Sequence, residues 1–290
     1  MNDLTIVIPI YNEVATLPSV LSDLRKFQAR TCCHLVIVND GSSDESGLIL
    51  KSPSIDNFKL ITHKLNKGYG GALKSGLKQV QTKYAVTVDG DGQHYLEDVE
   101  KLYEQIKRTD ADLIVGSRKG QRSASYSRAV GKMLIRSLAK IMMSVPIYDI
   151  NSGMKIYNTE LVKQYLHLTP DTMAFSDIIT LIFINNRHLV LEEPILIKER
   201  GGGKSTIGFS TAYHTVMEII NVVLLFHPMK VFLPISVAFF FFGLCWSITF
   251  YVNKSTLTTG GSFFMMSGIT VFLLGLITEQ LAQIRKSRKK

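Results

Sequence analysis

Residues 85–94 read AVTVDGDGQH, an apolar, β-branched run that ends in two aspartates, two glycines, a glutamine and a histidine. The run up to Val88 is typical of a buried strand. Asp89 and Asp91 are two residues apart, so on an extended chain their carboxylates point to the same side. Like charges this close repel each other, and a hard divalent cation bound between them usually compensates the repulsion. The alternative is a solvated turn, since Asp and Gly are common turn residues.

The segments around this stretch alternate between strand-like and helix-like patterns over the first 120 residues. Such alternation favours βαβ units and a mostly parallel sheet covered by helices. Ligands of open sheets bind beyond the carboxyl ends of the strands. Polar residues follow four of the apolar runs: Tyr11, Asn12 and Glu13; Asn39 and Asp40; Asp89 and Asp91; Ser117 and Arg118. The pattern predicts a polar site at one edge of an α/β sheet.

Composition and charge limit the classes of function. Hydrophobic residues make up 46% of the 290 residues, enough for a sizeable core. The three cysteines form neither a disulfide framework nor a zinc pattern, so we expect a reducing compartment. The start, MNDLTIVIPI, predicts a strand and no signal peptide. The net charge is +9, and residues 285–290 supply five of these charges, leaving +4 for the rest. We therefore expect no general nucleic-acid surface.

The most apolar segments lie near the C-terminus. Residues 231–252 contain no charged side chain and are long enough to span a bilayer. A second apolar segment covers about 263–278 and continues into EQLAQI (279–284). A buried soluble helix is its alternative, but the first span needs a partner or an exit. The loop between them holds only Lys254, whereas the tail is strongly basic, so the positive-inside rule places both termini in the cytoplasm.

The segment before this hairpin, FSTAYHTVMEIINVVLLF (209–226), places apolar residues mainly on one side. This pattern predicts an amphipathic helix in the membrane interface, with a helix packed under the preceding domain as the alternative. We therefore expect an α/β domain over residues 1–205, an interfacial helix over 206–228, and a membrane hairpin with a basic tail over 229–290.

Three known phosphate or metal motifs do not fit the sequence. RGGGKST lacks the first glycine of a P-loop, because Lys198 occupies that position. NKGYGGALKSG has Leu73 where a dinucleotide-binding motif needs glycine. DGDGQH begins like an EF-hand loop but has His94 at the sixth position, and a strand precedes it in place of a helix.

Six other motifs occur in a diagnostic order: VIPIYNE, VNDGSSD, NKGYGGALKSG, DGDGQH, GSR and NSGMK. In this order they resemble the inverting family 2 glycosyltransferases with a GT-A fold, a Rossmann-like α/β fold. The similarity covers about residues 4–205 and is greatest to dolichol-phosphate mannose synthases and polyprenyl-phosphate glucosyltransferases, including members with two C-terminal spans. Two departures are Gly90, where the mannose synthases often have Ala, and Asn39, where an acid is common.

The resemblance implies transfer of a hexose, mannose or glucose, from a nucleoside-diphosphate sugar to a polyprenyl or dolichyl phosphate at the cytoplasmic membrane face, with inversion. It implies Mg²⁺ or Mn²⁺ as cofactor, because a carboxylate pair meets an anionic diphosphate through a cation. His94 is expected to be structural, since hard cations prefer oxygen ligands. The implied site residues are Pro9, Tyr11, Glu13, Asp40, Asp89 and Gln93 for the donor, Asp89, Asp91 and Gln93 for the metal, and Asp91, Asp149 and Arg118 for catalysis.

Several basic residues are candidates for binding the acceptor phosphate: Arg118, Arg128, Arg200 and Lys204. Arg suits bidentate phosphate contact and Lys a point-charge contact. For each residue alone a solvated surface charge is the better explanation, and it is the group together, in a chain with a membrane hairpin, that favours a lipid phosphate. The roles of Asp149, next to NSGMK, and of Asp177, a possible helix cap, stay open.

Two other functions are considered. Transfer to a glycolipid or a growing polysaccharide is one, although the Q-x-x-R-W motif usual in polysaccharide synthases is absent. A non-catalytic nucleotide-sugar-binding membrane protein is the other, and the acids at positions 40, 89 and 91 disfavour it.

Overall fold

The computed structural model describes residues 1–51, 58–118, 145–198, 224, 228–254 and 258–287. These residues form two compact units, one made of the residues up to 198 and the other of those from 224 onward. The predicted interfacial helix over 206–228 lies outside the described residues, except for positions 224 and 228.

A mixed sheet forms the centre of the first unit and has seven strands within the described ranges. The strands are β1 (Leu4–Ile10), β2 (His34–Asn39), β3 (Phe58–Thr62), β4 (Tyr84–Thr87), β5 (Leu113–Ser117), β6 (Lys155–Asn158) and β7 (Val190–Pro194). They lie in the order β3-β2-β1-β4-β6-β5-β7. Neighbouring strands are parallel except where β6 pairs with β4 and β5. The predicted α/β class with a mostly parallel sheet is confirmed, and the antiparallel β6 is an addition to it.

The strand β1 shows why this sheet is covered on both faces. Its sequence, LTIVIPI, has almost no polar residue, as expected for a strand between two layers of helices. Ile6 and Val7 are adjacent, so they point to opposite faces, and both are completely buried.

Helices connect the strands and cover the sheet. They are α1 (Leu17–Thr31), α2 (Ser46–Lys51), α3 (Tyr69–Lys78), α4 (Leu96–Thr109), α5 (Thr159–Tyr165) and α6 (Phe175–Asn185), with a 3₁₀ turn at Leu166–Leu168. The helices predicted between the first five strands are all present. Helix α3 begins after Gly68, whose φ of 86° is a conformation that glycine adopts without strain.

The second unit contains two long helices, α7 (Met229–Lys254) and α8 (Thr259–Ser287), which pack against each other. Both are long and apolar enough to cross a membrane, with mean hydropathy 2.2 for Met229–Val252 and 1.8 for Thr259–Ile284. The second span begins at Thr259, before the predicted start at 263, and ends at Ile284, as far as the predicted continuation reaches. Only 17% of its most apolar window is buried, which does not fit the alternative of a buried soluble helix.

Glycines set the close packing of this hairpin. Gly261, Gly268 and Gly275 recur every seven residues along α8, so they lie on nearly the same face. A Cβ added at Gly268 would lie 2.8 Å from the carbonyl oxygen of Ser236 and from the amide nitrogen of Phe240 on α7. Small residues let the two backbones approach in this way, as is common between membrane helices.

Candidate active site

The carboxyl ends of three adjacent parallel strands meet at one edge of the sheet. Ile10 of β1 pairs with Asn39 of β2, and Val7 pairs with Thr87 of β4. The polar residues that follow these strands are therefore neighbours, as the sequence predicts. Pro9, placed with the donor-binding residues from the sequence, lies inside β1 and pairs with Val38.

The loops after β1 and β2 are tied to each other by hydrogen bonds. Asn12 has a positive φ of 54°, and its side-chain oxygen accepts from the Ser43 amide at 2.8 Å. The Glu13 amide donates to the Ser46 hydroxyl at 3.0 Å, while the Glu13 carboxylate accepts from Thr16. Tyr11, between these residues and β1, is 47% exposed. The arrangement leaves an aromatic ring at the surface on a fixed turn.

Asp40 is almost completely buried and has partners of its own within the protein. It is 2% exposed, and its Oδ1 lies 2.6 Å from Nδ1 of His63 and accepts from the Lys67 amide at 2.9 Å. The other ring nitrogen of His63 lies 2.9 Å from the Ser75 hydroxyl. Asp40 therefore fixes the turn that leads into α3, in addition to any contact with a donor.

Asp89 is held by two side chains at the end of β4. Tyr69 donates to Oδ1 at 2.7 Å, and Nε2 of His94 lies 3.3 Å from Oδ2. Burial alone would raise the pKa of Asp89, but the hydrogen bond and positive charge of His94, the hydrogen bond from Tyr69 and the charge of Arg118 together hold this pKa below its ordinary value. The carboxylate is 30% exposed and ionised at neutral pH.

Tyr69 was not singled out from the sequence, although it lies in the quoted motif NKGYGGALKSG. Burial, followed by the charge and the hydrogen bond of Asp89, raises the pKa of the Tyr69 phenol well above its ordinary value. The phenol therefore remains a hydrogen-bond donor to Asp89 throughout the physiological pH range. A tyrosine at the start of a helix carries no such signal in the sequence alone.

The remaining residues of DGDGQH form a fixed turn. The Gln93 amide donates to the Asp91 carboxylate at 3.1 Å, and the Gln93 carbonyl accepts from the Lys198 amide at 2.9 Å. Gly92 has a φ of 73°, which favours glycine. His94 bridges to Ile197 in antiparallel fashion, so the turn is anchored beyond β7.

The donor set of this turn fits a hard cation. Asp89, Asp91 and Gln93 offer carboxylate and amide oxygens, which Mg²⁺ and Mn²⁺ prefer. Within the described ranges, no group of three or more His, Cys, Asp or Glu residues is arranged to hold a metal ion alone. A cation at this turn would therefore take further oxygen ligands from a bound substrate or from water, as Mg²⁺ usually does. His94 contacts Asp89 and would therefore support a metal ligand instead of acting as one.

Arg118 and Asp149 form a bidentate ion pair. Nε of Arg118 donates to Oδ2 of Asp149 at 2.6 Å, and a terminal nitrogen donates to Oδ1 at 2.9 Å. The same guanidinium donates to the Asn151 carbonyl at 3.1 Å. The hydrogen bond to Asp149 raises the pKa of Arg118, although burial opposes this. The structure thus brings together two residues whose catalytic roles were predicted separately.

The other predicted cations, Arg128, Arg200 and Lys204, lie outside the described residues. Asp177 lies in the first turn of α6, but the N-cap residue of this helix is Ala174, so the suggestion that Asp177 caps the helix is wrong.

The chain matches two protein-family models. Residues 5–166 match the model described as "Glycosyl transferase family 2", and residues 227–284 match "GtrB C-terminal hairpin".

Two curated relatives cover most of both chains. The polyprenol monophosphomannose synthase of Mycolicibacterium smegmatis is 27% identical over 226 residues, 74% of this chain and 84% of that protein. The dolichyl-phosphate beta-glucosyltransferase of Saccharomyces cerevisiae is 27% identical over 237 residues, 72% of this chain and 70% of that protein.

One solved structure has the same fold at low sequence identity. Glucosyl-3-phosphoglycerate synthase from Mycobacterium tuberculosis, crystallised with Mn²⁺, uridine diphosphate and phosphoglyceric acid, superposes with a TM-score of 0.61 at 14% identity, covering 77% of this chain and 78% of that one. This similarity supports the GT-A fold. Because the family model covers more than half of the 290 residues, the chain belongs to glycosyl transferase family 2 and is a glycosyltransferase.

Proposed function

We propose that this enzyme transfers a hexose, mannose or glucose, from a nucleoside-diphosphate sugar to a polyprenyl or dolichyl phosphate, with inversion of the anomeric centre. The observation that carries the proposal is the combination, in one chain, of a family 2 domain and a GtrB-type apolar hairpin. Two relatives that align with over 70% of the chain are named for transfer to such lipid phosphates. An apolar hairpin would hold the enzyme where a lipid acceptor is found.

The donor would bind at the carboxyl edge of the sheet. In this proposal the nucleoside lies against Pro9, Tyr11, Glu13 and Asp40, and the diphosphate faces the turn that holds Asp89, Asp91 and Gln93. A divalent cation held by these three residues would neutralise the charge that develops on the departing diphosphate. Tyr69 and His94 hold the Asp89 carboxylate in place, where it would be one of the ligands of that cation. The low pKa of Asp89 keeps the carboxylate ionised, as a metal ligand must be.

The acceptor phosphate makes a separate general base less important. A phosphate monoester has a second pKa of about 6, so near neutral pH it is already largely dianionic. The enzyme has to hold and orient this anion, which requires cations. Arg118 is engaged with Asp149 and would present at most part of its guanidinium to the phosphate. We therefore assign most of the phosphate binding to Arg128, Arg200 and Lys204.

We also propose that the catalytic domain and both termini are cytoplasmic. The sequence between the two candidate spans contains one positively charged residue, Lys254, whereas residues 285–290 contain five. The positive-inside rule then places the tail, and with it the catalytic domain, on the cytoplasmic side.

A panel of labelled nucleotide sugars tests this function. Purified protein in detergent is incubated with each donor, a polyprenyl phosphate and Mg²⁺ or Mn²⁺, and the lipid is then extracted. We expect one donor to label the lipid in the wild type and none in Asp91→Asn. Asp110→Asn is the matched control, because Asp110 ends α4 in a left-handed conformation that Asn tolerates. Labelled free sugar with no labelled lipid, from every donor, would contradict the proposal.

A further inference from the structure

Lys155 is a completely buried lysine close to the candidate active site. Its side chain is 0% exposed, yet it begins the strand β6 within the motif NSGMK. Lysine is almost never fully buried unless its ammonium group is satisfied, because desolvating a charge is expensive. The burial therefore requires an explanation from the surroundings.

The ammonium group has three hydrogen-bond acceptors. Nζ donates to the carbonyl of Ile150 at 2.8 Å, to the hydroxyl of Thr180 at 2.8 Å and to the carbonyl of Ser176. The Thr180 hydroxyl gives its own proton to the Ser176 carbonyl at 2.9 Å, so toward Lys155 it acts as an acceptor. Three acceptors match the three N–H groups of a charged ammonium, whereas a neutral amine has two.

These contacts join two segments that carry charged residues. Ile150 follows Asp149, the partner of Arg118, while Ser176 and Thr180 lie on α6. The backbone of Lys155 pairs with Thr87, two residues before Asp89. On its other side it pairs with Val115, three residues before Arg118. Lys155 thus lies between the strand that leads to Asp89 and the strand that leads to Arg118.

We propose that Lys155 is a positioning residue for glycosyl transfer. Its three hydrogen bonds connect the loop that contains Asp149 to helix α6. This connection holds the Arg118–Asp149 pair at a set position relative to Asp89. The ammonium touches neither substrate in this account and acts through the pair. The inference rests on the function proposed above and deepens it.

The electrostatic surroundings agree with this role. The charged groups that act on Lys155 come from every neighbouring segment: Asp89 after β4, Arg118 after β5, Asp149 in the loop, and Asp177 on α6. Burial lowers the pKa of Lys155 to about 7, while the three carboxylates oppose this shift. The lysine then holds its proton below this pH and loses it, together with its third hydrogen bond, above it.

Two sets of variants test the proposal. Lys155→Met keeps most of the length of the side chain and removes all three hydrogen bonds. We expect kcat to fall about 100-fold with the donor Kd unchanged, since a displacement of about 1 Å can cost this much. Thr180→Val removes one hydrogen bond in a side chain of similar shape and should lower kcat about tenfold. Thr180→Ser keeps the hydroxyl and should recover most of that loss. The two Thr180 variants still test the proposal if Lys155→Met fails to fold.

The pH profile separates positioning from packing alone. The wild-type kcat should decline above about pH 7, whereas Lys155→Met has no proton to lose there and should show no such decline. Equal declines in both proteins, or a Thr180→Val kcat equal to that of the wild type, would overturn the inference. Absence of transfer by the wild type itself would instead refute the proposed function, so the two failures are distinguishable.

Discussion

Gly153 determines how closely the loop before β6 approaches Asp89. A Cβ added at Gly153 would lie 2.1 Å from Oδ2 of Asp89, 2.5 Å from its Cγ and 2.6 Å from its Oδ1. Rotating the carboxylate cannot relieve a clash with all three atoms, so the group has to move as a whole. Ordinary contact begins at 3.4 Å, which requires Oδ2 to retreat by about 1.3 Å, the difference between 3.4 and 2.1 Å.

This displacement predicts a large loss of activity in Gly153→Ala. The carboxylate would give up its hydrogen bond to Tyr69 or its contact with His94 and leave the position proposed for it beside the donor diphosphate. A misplacement of about 1 Å can cost about 100-fold in rate, and overpacking costs about 1–3 kcal/mol of stability. We expect kcat for transfer to the lipid to fall about 100-fold while most of the protein stays folded at 25 °C.

Gly76→Ala is the matched control for this prediction. Its Cβ would lie 2.4 Å from a methyl group of Val7 and 3.1 Å from one of Val38, so it overpacks the core without touching Asp89. Both variants are assayed for sugar transfer to extracted lipid and for thermal unfolding. We expect a similar loss of stability in both and a large loss of kcat in Gly153→Ala alone. Wild-type kcat in Gly153→Ala would refute the argument that Asp89 must hold its position.

Four further predictions concern the cation, the pH dependence, the ion pair and the hairpin. EDTA should abolish transfer and added Mn²⁺ or Mg²⁺ should restore it; activity that persists in EDTA would argue against a cation at Asp89. Because the pKa of Asp89 is lowered, this carboxylate loses its charge only below its ordinary pKa, so the fall in rate below about pH 6 should follow protonation of the acceptor phosphate. Arg118→Lys cannot pair with Asp149 through two nitrogens and should lower kcat at least tenfold, measured with donor binding as the control. Gly268→Leu should separate α7 from α8 and lower the melting temperature in detergent, and an unchanged value would contradict the close packing.

The polar edge of the sheet is predicted well because each of its parts can be recognised in a short stretch of sequence. Each apolar run there ends in polar residues, and parallel strands bring such ends together, so Asp40, Asp89 and Asp91 are expected at one edge. The apolar spans are predicted for the same reason, since their length and composition are read directly from the chain.

Contacts between distant residues are not predicted in this way. Arg118 and Asp149 are 31 positions apart, and nothing in either segment indicates that the guanidinium pairs with a carboxylate. The sequence around Lys155 does not distinguish it from a surface lysine. Its burial results from the antiparallel strand β6, which lies between β4 and β5. The burial of Asp40 likewise depends on His63, which follows another strand, β3.

The identity of the acceptor is the central claim, and a competition between two lipids tests it most directly. Equal amounts of a polyprenyl phosphate and the corresponding free polyprenol are offered to the enzyme in one reaction, and the glycosylated products are measured by mass spectrometry. A free alcohol needs a positioned base, whereas the phosphate is already largely dianionic near neutral pH. We predict that the product is the polyprenyl phosphate carrying one hexose, with at least 99% of the sugar on that lipid, about a 100-fold preference. Comparable glycosylation of the free polyprenol would contradict the account.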